Sequence, residues 1–262
     1  MDDHVLLCPP TSFDVVYSIN PWMRGSKVDK KVAMEQWQKL RAAIESWGVK
    51  VSLIEQVADL PDMVFTANAG TVRGDRVVLS NFKFPQRQPE TDAFEKWFQN
   101  EGYETYRLPR KISFEGCGDT VVWGDKMFAG YGIRSDLGGI RRAAKILDLE
   151  LIPLKLNHPN FYHLDTCFCL LHRTCAMYYP GAFTPSALKK LKHHVPDLIP
   201  LDVTDAATFA SNSVVYENKV LMPGGPQKIV EELTFRGYDV TQINTSEFMK
   251  SGGSLQCMTL WI

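Results

Sequence analysis

The chain has 262 residues, with hydrophobic and charged fractions of 45% and 23% that are typical of an ordinary soluble globular protein. Its 29 Lys and Arg residues are balanced by 30 Asp and Glu residues, which excludes the broad positive field of a nucleic-acid-binding protein. No apolar run approaches the roughly 18 residues that span a bilayer, and Met1 to His4 lacks the basic start of a signal peptide. Composition therefore predicts a cytoplasmic protein with neither nucleic-acid nor membrane partners.

The first predicted elements form an incomplete unit. A strand at Val5 to Leu7 is followed by a helix from near Asp29 to Trp47 and by a second strand from Val49 to Ile54. This unit has one strand fewer than the units that follow it.

Four complete units come next, each with a polar residue, a β-rich run, a two-residue turn and a second β-rich run. Their opening residues are Asn68, Asp119, Asp165 and Asn212, and Cys257 opens a truncated last copy. The predicted turn pairs, whose first residues are 50, 48 and 45 positions apart, are Gly74-Asp75, Gly124-Asp125, His172-Arg173 and Glu217-Asn218. Gly and Asn suit such turns because they tolerate positive φ.

Helical sequence and a short apolar run follow each hairpin, so the repeated unit is hairpin, helix and strand. The predicted helices span residues 91–100, 138–149, 184–195 and 226–236. The spacing predicts one structural unit repeated along the whole chain.

The incomplete units at the two ends predict a closed ring. We expect the strand near Leu260 to pair beside Val5 to Leu7, because closure removes the exposed edges of an open array of sheets. The predicted fold is an α/β, five-bladed propeller with pseudo-fivefold symmetry, in one domain over residues 1–262. The symmetry brings the five opening residues to a central site.

Four motifs carry a resemblance to a known superfamily. They are Phe65-Thr66-Ala67-Asn68, Phe114-Glu115-Gly116-Cys117-Gly118-Asp119, His163-Leu164-Asp165 and Gly252-Gly253-Ser254-Leu255-Gln256-Cys257. Over essentially its whole length the chain resembles the guanidino-group-modifying superfamily, which has the pentein fold. Arginine deiminases, dimethylarginine dimethylaminohydrolases, amidinotransferases and arginine dihydrolases belong to it. The chain looks closest to the arginine dihydrolase module, because Ile19-Asn20-Pro21-Trp22-Met23 accompanies these motifs.

Cys257 and His163 are the predicted nucleophile and proton carrier. A guanidinium carbon is deactivated by resonance, so displacing ammonia from it requires a thiolate and a proton donor for the leaving nitrogen. His163 would protonate the ammonia and then deprotonate the attacking water. If the segment is extended, His163 and Asp165 point to one face, because side chains alternate along a strand.

A cationic substrate requires carboxylates. Glu115 and Asp165 are predicted to clamp the guanidinium, since a carboxylate accepts two parallel N–H bonds. Asp119 and Asp62 either serve the same pocket or tie down turns, and the second role is favoured.

The substrate's α-carboxylate requires cationic or amide partners. The resemblance points to Arg87, Arg134 and Asn20 for this role, and arginine suits bidentate recognition of a carboxylate. Asn212 is expected to contribute to substrate binding from its place at the axis.

The residue type at the position of Asn68 distinguishes enzymes of this superfamily, because deiminases tend to have Asp there. A neutral amide can donate to or accept from a neutral ureido group. We therefore predict that the citrulline-like first product reacts again, giving ornithine, carbon dioxide and a second ammonia. The alternatives are an arginine deiminase or a dimethylarginine dimethylaminohydrolase that stops at citrulline. An amidinotransferase is less favoured, because nothing indicates a second amine site.

A non-catalytic pentein binding module is a further alternative, disfavoured because the nucleophile constellation is present. No cofactor is predicted, and no metal, since His163 and Asp165 lack a second His at ligand spacing. The six cysteines show neither C-x-x-C nor disulfide spacing, so reduced thiols are expected. The expected partner is a small molecule, arginine or a close guanidino analogue, and the sequence leaves open whether the chain forms a homo-oligomer.

Overall fold

Five three-stranded sheets make up the β structure that a computed structural model shows for residues 3–25 and 27–262. The strands are β1 (His4–Leu7), β2 (Lys50–Leu53), β3 (Gly70–Arg73), β4 (Arg76–Leu79), β5 (Glu104–Tyr106), β6 (Thr120–Trp123), β7 (Lys126–Tyr131), β8 (Glu150–Lys155), β9 (Phe168–His172), β10 (Cys175–Tyr178), β11 (Asp197–Pro200), β12 (Val214–Tyr216), β13 (Lys219–Pro223), β14 (Asp239–Ile243) and β15 (Leu260–Trp261).

Helices connect the middle and last strands of each sheet or lie in the loops between sheets. The α-helices are α1 (Lys30–Ser46), α2 (Glu90–Asn100), α3 (Gly116–Asp119), α4 (Leu137–Ile146), α5 (Pro185–His194), α6 (Val203–Ala207), α7 (Gln227–Phe235) and α8 (Ser246–Met249). Short 3₁₀ helices span Pro61–Val64, Thr66–Ala69, Leu164–Thr166 and Pro180–Ala182. Within the described residues, none of the helices is both long and apolar enough to cross a membrane.

Each complete sheet is built from one unit of the repeat. A tight hairpin pairs its first two strands antiparallel, and a helix returns the chain so that the third strand lies parallel to the second. The strand orders are β3-β4-β5, β6-β7-β8, β9-β10-β11 and β12-β13-β14.

The remaining sheet joins the two ends of the described chain. Its middle strand β1 pairs in parallel with β2 and antiparallel with β15, with Val5 opposite Trp261 and Leu6 opposite Leu260. The last strand thus occupies the place that the first strand of a hairpin has in the other sheets. The predicted α/β propeller of five blades is confirmed.

Two local predictions are wrong. The third hairpin turns at Arg173-Thr174, one residue later than predicted, because β9 continues through His172, which pairs with Cys175. Helix α4 ends at Ile146, three residues before the predicted end. The chain reverses there through Asp148, which has a φ of +53°.

The edge strands β3, β6, β9, β12 and β15 face the axis, since residues from all five line one common cavity. The opening polar residue of each unit lies one to three positions before its edge strand. These residues therefore meet at one end of the edge strands, although they are far apart in the chain.

Candidate active site

The loop before Cys257 depends on two glycines. Gly252 has a φ of +84°, and a Cβ there would lie 2.8 Å from the side-chain oxygen of Asn20. A Cβ on Gly253 would lie only 2.3 Å from the ring of Phe65. The Gly-Gly pair therefore lets this loop turn and pack closely beside the nucleophile candidate.

Cys257 is buried and held by two neighbours. Its thiol donates to Asp165 Oδ2 at 3.0 Å. Asn212 contacts it twice: Nδ2 donates to Sγ at 3.0 Å, and the backbone N–H of Cys257 donates to Oδ1 at 3.1 Å. Burial and the negative charge of Asp165 raise the pKa of the thiol, so the resting sulfur is protonated.

Asp165 lies in the 3₁₀ helix Leu164–Thr166, so the condition of an extended His-Leu-Asp segment, which would put His163 and Asp165 on one face, is not met. The short helix places the Asp165 carboxylate at the sulfur of Cys257. His163, whose backbone is extended, hydrogen-bonds to Glu115 instead. Burial raises the pKa of Asp165 to about 7, partly offset by the hydrogen bond from Cys257. Its second oxygen, Oδ1, has no hydrogen-bond partner among the residues that the structure describes.

His163 forms a buried cluster with Glu115 and Arg134. Nε2 lies 2.7 Å from Glu115 Oε2, which also accepts from Arg134 Nη1 at 3.0 Å. Glu115 Oε1 accepts from the backbone N–H of Lys83 at 3.1 Å. One buried carboxylate therefore positions both a histidine and an arginine.

Burial and neighbouring charges determine the protonation state of each group in this cluster. Burial alone would raise the pKa of Glu115, but the Arg134 guanidinium and the hydrogen bond from His163 hold it well below its usual range. Burial lowers the pKa of His163 to about 4. Because an ionised carboxylate only accepts, Nε2 carries the proton of the neutral ring. Nδ1 is then the basic nitrogen.

Asn68 has a fixed amide orientation. Arg87 Nη1 donates to Oδ1 at 2.8 Å, and Nδ2 donates to the carbonyl oxygen of Glu115 at 3.4 Å. Arg87 is itself held by Glu90 through two hydrogen bonds of 2.8 and 2.7 Å. Gly118 leaves space for this arrangement, since a Cβ there would lie 2.1 Å from Asn68 Nδ2 and 3.1 Å from His163 Nδ1.

The two arginines predicted to bind a carboxylate are buried, each only 3% exposed. Besides Glu115, Arg134 donates to the carbonyl oxygen of Ile19 at 2.9 Å and lies over the rings of Phe84 and Tyr162. Both guanidinium groups already have carboxylate partners within the protein. Their role toward a substrate carboxylate stays a prediction.

Asp119 and Asp62 hold loops together. The carboxylate of Asp119 accepts from the backbone N–H groups of Ser135 and Leu164 at 3.1 and 3.2 Å. Asp62 accepts from the hydroxyl groups of Tyr17 and Ser251 at 2.9 and 3.1 Å. Asp62 also lines the pocket in front of the sulfur, whereas Asp119 does not.

We call this pocket the front pocket, and its free volume is about 10 Å³. Its lining residues are Ile19, Asn20, Met23, Asp62, Phe65, Asn68, Arg87, Arg134, Tyr162, His163, Ser251, Gly253 and Cys257. It thus brings together seven of the predicted site residues. Glu115, Asp165 and Asn212 lie behind this lining and hold its members through direct hydrogen bonds.

Sequence reasoning missed several residues of this site. Tyr162 closes the mouth of the front pocket by donating to the carbonyl oxygen of Gly252 at 2.6 Å, next to the predicted Asn20, which donates to that of Ser251 at 3.0 Å. Glu90 secures Arg87. Position beside His163 could have indicated Tyr162, but no local pattern indicates Glu90. In the described part of the chain, no group of three or more His, Cys, Asp or Glu side chains could hold a metal ion.

Fold and site together define a pentein: a five-bladed α/β propeller with a cysteine, a histidine and carboxylates at its centre. A family model described as "N,N dimethylarginine dimethylhydrolase, eukaryotic" matches residues 18–262. The chain belongs to this family, and the resemblance to the guanidino-group-modifying superfamily is confirmed.

Two curated relatives extend the comparison. The chain is 42% identical over 261 residues to the bifunctional arginine dihydrolase/ornithine cyclodeaminase AgrE of Nostoc sp.. That match covers 97% of this chain but only 37% of AgrE. The N(G),N(G)-dimethylarginine dimethylaminohydrolase of Mycobacterium tuberculosis is 37% identical, over 98% of this chain and 84% of its own length.

A solved structure matches the whole fold. The N-terminal domain of ArgZ, described as an arginine dihydrolase from the ornithine-ammonia cycle in cyanobacteria and bound to product, superposes with a TM-score of 0.97. The two chains are 40% identical, and the match covers 100% of this chain and 97% of that domain.

The contact between Asp165 and Cys257 predicts how the thiol reacts with iodoacetamide. Asp165→Asn removes a negative charge that raises the pKa of Cys257, so alkylation of Cys257 at pH 8 should become about tenfold faster. Peptide mapping by mass spectrometry measures the rate at each cysteine. Cys175, whose pKa is raised chiefly by burial and by Asp197, is the internal control. An unchanged or slower rate at Cys257 would contradict the assignment.

Proposed function

We propose that residues 1–262 form one catalytic domain that hydrolyses the guanidino group of arginine, as an arginine dihydrolase. The observation that carries the proposal is the buried Cys257, with Asp165 and Asn212 at its sulfur and the neutral ring of His163 lining the same pocket. The similarity to AgrE and ArgZ supports it. A free thiol nucleophile also suits the reducing cytoplasm predicted from the sequence.

The first hydrolysis begins when a guanidinium enters the front pocket. Its positive charge lowers the pKa of Cys257, and Asp165 accepts the thiol proton. The sulfur forms a bond to the guanidino carbon, and ammonia leaves with that proton, giving an S-alkylthiouronium. His163, predicted to protonate the ammonia, has no proton to give from Nδ1 here, because burial lowers its pKa to about 4. Water deprotonated by His163 Nδ1 then attacks the same carbon, and the C–S bond breaks to give a ureido product and free Cys257.

The second hydrolysis repeats these steps on the neutral ureido group. Cys257 displaces the second ammonia and forms an S-carbamoyl intermediate, which water cleaves to an N-carboxy amine. That product loses carbon dioxide to give ornithine. Asn68 permits this step because its locked amide presents no anion that would prefer a cation over a ureido group.

Substrate entry requires the front pocket to open, because about 10 Å³ holds roughly one water molecule and no amino acid. Hydrogen bonds from Asn20 to Ser251, from Tyr162 to Gly252 and from Arg134 to Ile19 hold it closed. We infer that the segment around Asn20 moves away from the Gly-Gly loop during binding.

Hydrolysis of dimethylated arginine is the second candidate. The family description and the M. tuberculosis relative favour it. Against it, the identity to AgrE, 42%, is higher than the 37% identity to that relative.

Exchanging Asn68 tests the proposal directly. The unmodified protein incubated with arginine should give ornithine and two ammonia per arginine. Asn68→Asp should accumulate citrulline and lower the ratio of ornithine to citrulline by about tenfold or more, because the added anion favours the cationic first substrate. Chromatography of the amino-acid products with an ammonia assay measures both.

The exposed Asn157→Asp exchange is the matched control, since it adds the same charge outside the site. It should leave the product ratio unchanged. Ornithine release by Asn68→Asp at the unmodified ratio would contradict the role of Asn68. Dimethylamine release from dimethylarginine, without arginine turnover, would instead favour the second candidate.

The raised pKa of Asp165 predicts the pH dependence of kcat/KM. Asp165 must be ionised to accept the thiol proton, and its pKa is about 7, so kcat/KM should rise by about tenfold per pH unit below 7 and then level off. His163, with a pKa near 4, is neutral throughout this range. Initial rates at low arginine concentration from pH 5 to pH 9 measure the profile. A profile that falls as the pH rises through 7 would rule out this role of Asp165.

A further inference from the structure

Glu90 is a buried glutamate to which the proposed reaction steps give no part. It is the first residue of helix α2, it is fully buried, and it does not line the front pocket. Its two carboxylate oxygens accept from Nε and Nη2 of Arg87 at 2.8 and 2.7 Å, a paired contact that fixes the plane of the guanidinium. The ring of Phe82 supports the same group, with its centroid 4.5 Å from the guanidinium carbon. Glu90 and Phe82 therefore hold Arg87 in one orientation.

The other N–H groups of Arg87 are almost all in use. Nη1 donates to Asn68 Oδ1 at 2.8 Å, and Nη2 also donates to the carbonyl oxygen of Asp62 at 3.1 Å. Of the five N–H groups of a guanidinium, only one, on Nη1, is left for a ligand. A main structural task of Arg87 is therefore to connect Glu90 to Asn68.

This connection determines which way the Asn68 amide faces. A guanidinium only donates, so the amide oxygen has to face Arg87, and a reversed amide would set two donors against each other. The amide nitrogen then lies on the side of Gly118. A Cβ on Gly118 would lie 2.1 Å from Asn68 Nδ2 and 3.1 Å from His163 Nδ1. The amide nitrogen is thus beside the base of the proposed hydrolysis, in residues that both line the front pocket.

The direction of this amide matters for one of the two proposed substrates. Nδ2 has two N–H groups but only one contact in the described part of the chain, the long one of 3.4 Å to the carbonyl oxygen of Glu115. An N–H can donate to the oxygen of a ureido group. It cannot donate to a guanidinium, because every nitrogen of that cation is itself a donor or has no lone pair to offer.

We propose that Glu90 is a positioning residue for the second hydrolysis: through Arg87 it holds Asn68 with the amide nitrogen toward the ureido oxygen. This inference rests on the proposed function. The donated N–H draws electron density from the ureido carbon, which favours attack by the sulfur of Cys257. Without Glu90, Arg87 can turn and the Asn68 amide can reverse. Two acceptor oxygens would then face each other.

Replacing Glu90 tests this role. Glu90→Gln keeps the shape of the side chain but removes its charge and sets an NH2 group against one donor of Arg87. The ratio of kcat/KM for citrulline to kcat/KM for arginine should fall by about tenfold, because only the ureido substrate uses the oriented amide. Arg87→Lys should lower the ratio similarly, since one ammonium cannot reproduce the planar contact to both neighbours.

The ratio separates positioning from other effects. Citrulline and arginine have the same amino-acid end, so a changed contact to the α-carboxylate, or a loss of folded protein, lowers both kcat/KM values and leaves their ratio unchanged. Glu95→Gln is the matched control: Glu95 lies on the same helix and likewise accepts from an arginine, Arg107, through both carboxylate oxygens at 3.0 Å. It should keep the ratio within about twofold of that of the unmodified protein.

An unchanged ratio in folded Glu90→Gln and Arg87→Lys proteins would overturn the proposal. An unmodified protein that does not convert citrulline to ornithine would instead refute the proposed function itself, before any variant is measured.

A crystal structure of the Cys257→Ala protein with citrulline bound tests the geometry even if the Glu90 and Arg87 variants do not fold. The ureido oxygen should lie within hydrogen-bond distance of the Asn68 amide, with Arg87 still bonded to both Asn68 and Glu90. A ureido oxygen bound elsewhere, or an Arg87 turned away from Asn68, would overturn the proposal.

Discussion

The pairing of β15 with β1 is the constraint on which the rest of the structure depends. Each sheet alone is too small to bury its faces, and a ring of five leaves no unprotected inner edge. The last strand begins only three residues after Cys257, so the same pairing that closes the ring also places the sulfur at the axis. The same strand pairing therefore determines both the stability of the ring and the geometry of the site.

The centre of this ring carries more acid than base. Its buried side chains include five carboxylic acids but only two arginines, namely Asp62, Glu90, Glu115, Asp119 and Asp165 with Arg87 and Arg134. Burying charge is costly unless it is paired. Arg87 and Arg134 each hold one glutamate, while burial raises the pKa of both Asp119 and Asp165. A cationic guanidinium would compensate part of this surplus, which agrees with the proposed substrate.

The protonation states of the resting site follow from the same burial. A thiol with a raised pKa beside a carboxylic acid that titrates near 7 is protonated in the resting site, and a bound cation favours its ionisation. The neutral ring of His163 is available as a base at the same time. The arrangement couples the generation of the thiolate to substrate binding, and it limits reactions of Cys257 with other electrophiles.

The propeller and the meeting of distant residues could be predicted from the sequence, because the repeat places Asn68 and Cys257 at equivalent positions of a closed ring. The spacing of the repeated units is recognisable despite local irregularities, such as the shifted turn at Arg173-Thr174. The hydrogen-bond partners of the site residues could not be predicted. A 3₁₀ turn places Asp165 behind the sulfur and leaves His163 beside Glu115. The alternation of side chains along a strand does not predict such a turn.

Intact-mass spectrometry of the protein, quenched in acid during arginine turnover, shows whether Cys257 is the covalent nucleophile. A transient adduct with the mass of arginine less ammonia should appear, peptide mapping should assign it to Cys257, and Cys257→Ala should abolish it together with turnover. Turnover that persists in Cys257→Ala, or an adduct on another residue, would contradict this role of Cys257.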